Sequence, residues 1–373
     1  MLDPRITRLA ELFADHSLGL SAKDSVLIHA FDIPEEAVTE FVRVCQNRGA
    51  RVAIRLESQL VRRQLMHGMN EATAILHAEI ERHEMDQMTA YIALRGSHNY
   101  AEQADVPSEI QSLWQRLYVQ PVVFGVRVPK TRWAVTRWPT PAMAQQANLS
   151  TPAFEKFYFD VCLVDYAKMD VAAKPLAELM ETTDEVRLVG PGTDFRFSIK
   201  GIGAVACSGE ANIPDGECYS CPVRDSGNGI VQYNTVSVYQ GVEFKDIRLV
   251  VKDGRIVEAS AGDQTTKLNE ILDTDDGARH FGEWSLGFNP HVLSPMRDTL
   301  FDEKIAGSFH LTPGNAYEGR GGSGNRSAIH WDIVCIQRPE YGGGEVWFDG
   351  KLIRKDGLFV TDQLNGLNPA SLA

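Results

Sequence analysis

His330-Trp-Asp332 sets an imidazole and a carboxylate two residues apart. On a strand, positions i and i+2 face the same side, so the two groups converge. Together they offer a nitrogen and an oxygen to a borderline divalent metal. Taken alone, such a pattern is more often a hydrogen-bonded surface pair. Here Ile329 precedes it and Ile333-Val334 follow, so the sequence predicts a buried strand. Buried charge without a partner is costly, and a metal ion is one way to satisfy it. Further candidates lie upstream: His310 in Gly307-Ser-Phe-His-Leu, Glu303 in Leu300-Phe-Asp-Glu-Lys, Glu283 in Gly282-Glu-Trp-Ser-Leu-Gly, and Glu217 in Asn212-Ile-Pro-Asp-Gly-Glu-Cys. Singly, each reads as a loop carboxylate or a core histidine. As a set they exceed what one divalent ion needs, which is about three or four protein ligands. A carboxylate-rich set of this size can hold two ions, with one carboxylate bridging. Glu283, in an otherwise apolar segment, is the expected bridge, because strong positive charge would have to hold it there.

These residues fall in the half of the chain that reads as β-rich. Val186-Arg-Leu-Val, Asp194-Phe-Arg-Phe-Ser-Ile, Ile230-Val-Gln-Tyr, Ile247-Arg-Leu-Val-Val and Arg255-Ile-Val-Glu are short alternating segments. Asp253-Gly254 is a hairpin-turn signal between the last two. The first half reads differently. Ser25-Val-Leu-Ile-His-Ala suits a buried strand, Glu35 to Asn47 has helical apolar spacing, Gly49 stops that helix, and Arg51-Val-Ala-Ile-Arg is a second strand. Strand, helix and strand in so short a span predict a parallel βαβ unit, with a third strand over 88–94. No glycine fingerprint follows the first strand, so a dinucleotide site is not supported. Residues 132–150 read as a connector broken by Pro139 and Pro141, with a helix opening at Ser150 or Thr151 and running to about Tyr166. The expected architecture is α/β over 1–185, connector included, followed by a β-rich metal-binding domain over 186–373. The tract Gly319-Arg-Gly-Gly-Ser-Gly reads either as a mobile loop beside a site or as a long surface loop.

Bulk properties narrow the function. The 373 residues carry 37 basic and 50 acidic side chains, a formal net charge of −13. A protein that tracks phosphates shows the opposite balance, so nucleic acid is not an expected partner. No run of about 18 apolar residues is present, and the first residues lack a signal-peptide core, so no membrane association and a cytoplasmic location are expected. The six cysteines are scattered rather than framed for disulfides. Cys218-x-x-Cys221 has no second pair to complete a zinc knuckle, and it reads as ordinary core cysteine.

Several ordered motifs together resemble the metalloaminopeptidase family of aminopeptidases T, S and II, first known from thermophilic bacteria. They are Arg137-Trp-Pro-Thr-Pro-Ala-Met-Ala, Asn212-Ile-Pro-Asp-Gly-Glu, Gly282-Glu, Leu300-Phe-Asp-Glu-Lys, Phe309-His-Leu and Ser327-Ala-Ile-His-Trp-Asp. The resemblance runs from about Arg132 to Val334, and the first 130 residues share only α/β character. It implies a two-metal exopeptidase acting on peptides, with zinc, cobalt, manganese or magnesium, assembled as a homodimer. It implies Glu217, Glu283, His310, His330 and Asp332 as metal ligands, Tyr317 as the active-site tyrosine, and Glu303 as a ligand or general base. His280 and the glycine-rich tract depart from the family pattern.

Two other functions compete. An iron(II) ring-cleaving dioxygenase, similar to 2,5-dihydroxypyridine dioxygenase, would draw a facial triad from His330, Asp332 and His280. A one-iron site has no use for both Glu217 and Glu283, which favours the peptidase. A non-catalytic relic of the fold is the third possibility, and retention of every ligand type argues against it.

Overall fold

The computed structural model describes residues 2–373. Two compact units divide the chain, one formed by Met1–Leu163 with Gly209–Ile213, the other by Val164–Ser208 with Pro214–Ala373.

The first unit is built on the parallel sheet that the βαβ pattern predicts. Its strands are β1 (Ser25–Phe31), β2 (Arg51–Glu57), β3 (Ala90–Arg95) and β4 (Arg132–Arg137). They lie in the order β2-β1-β3-β4, and the short strand Asn212–Ile213 pairs in parallel beyond β4. β1 is buried along its whole length, as its largely apolar run leads one to expect, with His29 held inside by Tyr91 and Glu57. Helix Glu35–Asn47 makes the crossover from β1 to β2, and Gly49 follows at φ +81°, a conformation glycine adopts without strain. Arg132–Arg137, expected as the start of a connector, is instead a sheet strand paired with β3. Its Trp133-Ala-Val-Thr core carries the β propensity, which the neighbouring prolines at 139 and 141 obscured. The helix expected from Ser150 is present, with the Ser150 Oγ accepting from the Ala153 amide, but it ends at Cys162. A separate helix, Tyr166–Thr182, begins after it because the Asp165 carboxylate caps the Lys168 amide.

The second unit is β-rich, as the alternating segments predict. An eight-stranded antiparallel sheet contains all five of those segments. Asp253 and Gly254 close its outer hairpin with φ of 47° and 74°, the paired positive angles of a type I′ turn. A five-stranded antiparallel sheet carries the candidate residues Glu217, Glu283 and His310. Its strands are β5 (Val205–Cys207), β6 (Glu217–Ser220), β7 (Phe281–Gly287), β8 (Ser308–Pro313) and β9 (Ile333–Ile336), in the order β9-β8-β7-β6-β5. Its apolar face turns to the eight-stranded sheet. Trp284, fully buried on β7, packs edge-on between Phe197 at 5.2 Å and Phe348 at 5.9 Å, and Phe281 meets Phe195 at 5.7 Å. Among the described residues, no helix is long and apolar enough to cross a membrane.

Trp284 sits directly between Glu283 and Ser285 and anchors their strand. Trp284→Ala should lose about 3–5 kcal/mol of stability through the cavity it leaves. In urea unfolding this appears as a lower midpoint at an unchanged slope, and a midpoint within error of the parent would show that the two sheets do not depend on this contact.

Candidate metal centre

Strand register brings the polar residues to one face of the five-stranded sheet. Ser285 on β7 lies opposite Tyr219 on β6 and His310 on β8, while Glu283 lies opposite Thr312 and Gly287 opposite Glu217. Cross-strand partners and i±2 neighbours share a face, so Glu217, Tyr219, Glu283, Ser285, His310 and Thr312 all point the same way. The intervening residues Cys218, Trp284, Leu286, Phe309 and Leu311 form the buried opposite face.

His330 and Asp332 join this group from outside the strand. The sequence predicts them on a buried strand, but β9 begins only at Ile333, and His330 makes a single bridge to Gly314. Trp331 explains the interruption. Its ring stacks on Tyr239 at 4.6 Å, and its indole N–H donates to Ser237 Oγ at 2.8 Å, which draws the chain away from the ladder. The i, i+2 relation still holds locally, with His330 Nε2 lying 3.3 Å from Asp332 Oδ1.

Glu283 sits between two donor groups. Its Oε1 is 3.2 Å from His310 Nε2, and its Oε2 is 3.4 Å from His330 Nε2. One group is Glu217, Glu283 and His310; the other is Glu283, His330 and Asp332. Within each, the ligand atoms lie within 4.8 Å of one another. Thus the five residues expected as ligands are brought together as two adjacent clusters that share one carboxylate.

The donor chemistry fits divalent cations. His330 Nδ1 is 2.8 Å from the Asn315 carbonyl oxygen, which can only accept, so Nδ1 carries a proton. The Nε2 lone pair then faces carboxylate oxygens that cannot donate to it. Either a proton or a shared cation must stand between them. The same holds for His310 Nε2, which also lies 3.5 Å from Glu217 Oε2. His310 Nδ1 is buried without a hydrogen-bond partner. The surrounding groups orient the acids further: Thr312 Oγ1 donates to Asp332 Oδ1 at 2.6 Å, and Ser285 Oγ donates to Glu217 Oε2 at 2.7 Å.

Without cations, protons take their place. Burial opposes charge on His310, but Glu217 and Glu283 outweigh it and push its pKa up to about 9. Burial likewise opposes charge on His330, and Asp332 and Glu283 raise its pKa well above the ordinary histidine range. Glu303 is buried beside the centre, and burial raises its pKa to about 8 despite the Lys304 ammonium next to it.

Tyr317 is half exposed, 48% by area. Its ring lies 5.4 Å from that of His330 and 5.3 Å from that of Tyr219. The glycine-rich tract beyond it is tied down. Arg320 pairs with Glu181 at 2.7 Å, and the Gly321 amide donates to the Ile202 carbonyl. Gly321, at φ +83°, lies so close to Tyr219 that a Cβ there would stand 2.7 Å from the ring. His280 is elsewhere. Its ring Nδ1 faces the Arg224 carbonyl oxygen at 3.4 Å, and it belongs to neither donor group. The facial triad of His280, His330 and Asp332 is therefore not assembled. Residues that sequence reasoning passed over also line the site. Lys304, Ser285, Thr312 and Asp215 bond to or face its acids; Lys304, Ser285 and Asp215 stood within motifs already singled out, but as neighbours of the candidate residues, and Thr312 stood in none.

The model of the family described as thermophilic metalloprotease (M29) matches residues 2–346, so the likeness extends through the first unit as well as the motif-bearing part. Aminopeptidase 2 of Geobacillus stearothermophilus is 30% identical over 224 residues, 52% of this chain and 53% of that protein. This chain thus spans about half the length of that relative. Aminopeptidase T of Thermus thermophilus is 27% identical over 380 residues, covering 88% of this chain and 91% of its own. Among solved structures, wild-type AmpT from Thermus thermophilus matches with a TM-score of 0.80 at 22% identity, over 96% of this chain and 99% of that one. The 2,5-dihydroxypyridine dioxygenase of Pseudomonas putida KT2440 matches with a TM-score of 0.64 at 14% identity, over 98% and 99%. At these identities both structures establish the shared fold.

The protonated histidines make metal uptake pH-dependent. An imidazole must be neutral to ligate, so at pH 7 the entering ions displace protons from His310 and His330. Apparent affinity should therefore strengthen as pH rises from 6 toward about 9, the range over which the His310 proton leaves. Calorimetric titration of metal-free protein in buffers of different ionisation enthalpy measures the released protons; uptake with no proton release at pH 7 would contradict the assignment.

Proposed function

The chain belongs to the thermophilic metalloprotease family M29, and from that membership we propose that it is a dinuclear metal-dependent aminopeptidase. The observation that carries the proposal is Glu283, whose two carboxylate oxygens face two different histidines at 3.2 and 3.4 Å. A carboxylate so placed suits a bridge between two ions. Glu217, Glu283 and His310 would hold one, and Glu283, His330 and Asp332 the other. Mixed imidazole and carboxylate donors suit zinc, cobalt or manganese, and magnesium where carboxylate dominates.

When bound, the ions supply Lewis acidity, which makes water a better nucleophile at neutral pH and polarises a peptide carbonyl. The chain's own residues provide the rest. Glu303 accepts a proton from the attacking water and passes it to the departing amine, using the oxygen that Lys304 leaves free. Its raised pKa, about 8, suits a group that must both take and give a proton near neutrality. Tyr317, half exposed beside His330, donates its hydroxyl to the carbonyl oxygen as negative charge develops there. The substrate is a peptide with a free N-terminus, as the names of the aminopeptidase relatives suggest. A homodimer is the assembly that the family resemblance supports. All six cysteines are unpaired, which supports a reducing compartment such as the cytoplasm.

Elemental analysis of metal-replete protein should approach two divalent ions per chain, alongside hydrolysis of an aminoacyl-nitroanilide. One tightly held iron per chain with ring-cleaving activity would replace the peptidase by a dioxygenase. Glu283→Gln should lose metal and activity together. Tyr317→Phe should keep its metal while kcat falls by about 10²-fold. Near-normal kcat in that variant would remove the tyrosine from catalysis, and loss of metal would make it a ligand.

A further inference from the structure

A third donor group lies against the first. Cys207, Asp215 and Glu217 present ligand atoms within 4.8 Å of one another. By chemistry this is a cation site, with one thiol and two carboxylates. Lys304 stands in it. Its side chain is wholly buried, and the ammonium donates to Glu217 Oε1 and to Glu303 Oε1, the latter at 2.5 Å, with Asp215 Oδ1 at 3.6 Å. An ammonium has three donors and no acceptor; two of them are spent on Glu217 and Glu303, and Asp215 lies within ion-pair distance.

We propose that Lys304 is a positioning residue acting as a built-in cation, one that keeps divalent metal out of the Cys207–Asp215–Glu217 group and reserves Glu217 for the group containing His310. The geometry of Glu217 supports this. Its Oε1 is taken by Lys304, while Oε2 accepts from Ser285 and turns toward His310. A divalent ion entering beside Cys207 would meet the ammonium at close range in a poorly screened interior, where like charges repel strongly. It would also compete for the Glu217 oxygen that Lys304 holds. Without Lys304, the thiol and two acids lose the buried ammonium that stands among them, and a metal ion is the natural replacement. Ligation would then deprotonate the thiol.

The inference rests on the two-ion reading of the centre, and cobalt(II) separates the two. Metal-free parent protein and Lys304→Met would each be titrated with cobalt(II), following elemental stoichiometry and the near-ultraviolet thiolate-to-cobalt charge-transfer band. The parent's uptake of two ions tests the dinuclear centre by itself. For Lys304, the expected result is no thiolate band in the parent. The variant should gain the band together with one additional ion per chain, and Cys207→Ser in the Lys304→Met background should abolish both. A thiolate band in the parent would overturn the proposal, as would a folded variant with unchanged stoichiometry and no band. Lys304→Gln keeps two N–H donors for the flanking acids and removes the charge. It carries the same test if the methionine variant does not fold.

Discussion

Negative charge gathered out of water governs the second unit. Glu217, Glu283, Glu303, Asp215 and Asp332 cluster around one ammonium and two imidazoles. With every acid ionised and both rings neutral, five carboxylates against one ammonium leave four negative charges. Two divalent cations balance them. Protons are the lesser substitute, which is why both histidines are driven toward their charged forms in the absence of metal. Carboxylates at this density are tolerated only because cations belong among them.

The fold meets this demand by dividing labour between two faces of one sheet. Alternation along β6, β7 and β8 sends Glu217, Glu283 and His310 one way and Cys218, Trp284 and Phe309 the other. The aromatic face against the eight-stranded sheet supplies stability, and the polar face is released from that duty. Precision follows for Glu217, Glu283 and His310, because each stands on a strand fixed by both neighbours rather than on a loop. The supporting hydroxyls of Ser285 and Thr312 come from the same strands and fix the oxygens of Glu217 and Asp332.

The departures from regular structure fall at one margin of the donor groups. His330 and Asp332 lie just ahead of β9, and Tyr317 and the glycine-rich tract follow β8. Here the chain gives up ladder hydrogen bonds and relies on particular contacts, the Trp331 stack and the Arg320–Glu181 pair. Half-exposed Tyr317 is placed at this irregular margin, whereas fully buried His310 occupies the regular interior of the sheet.

Local chemistry was legible in the sequence. The parallel βαβ start, the alternating strands after Glu185, the Asp253-Gly254 turn and the Ser150 cap each depend on neighbours a few residues away, and each is present. So was the inventory of donors, because histidine and acid in apolar surroundings announce an unmet charge. What the sequence did not contain was register. Glu217 meets His310 across a sheet whose pairing depends on how three distant strands align, and a one-residue slip would turn each ligand into the core. His280, only three residues from Glu283, is excluded because its ring turns to the Arg224 carbonyl instead. The strand expected at His330 was displaced by the packing of Trp331, a contact with the distant residues Tyr239 and Ser237. Lys304 is the clearest case. Beside Glu303 in sequence it is one half of an ordinary charge pair, and only burial among Asp215, Glu217 and Glu303 turns it into a fixed interior cation. The energy of a charge depends on what surrounds it, and that surrounding exists only once the chain has folded.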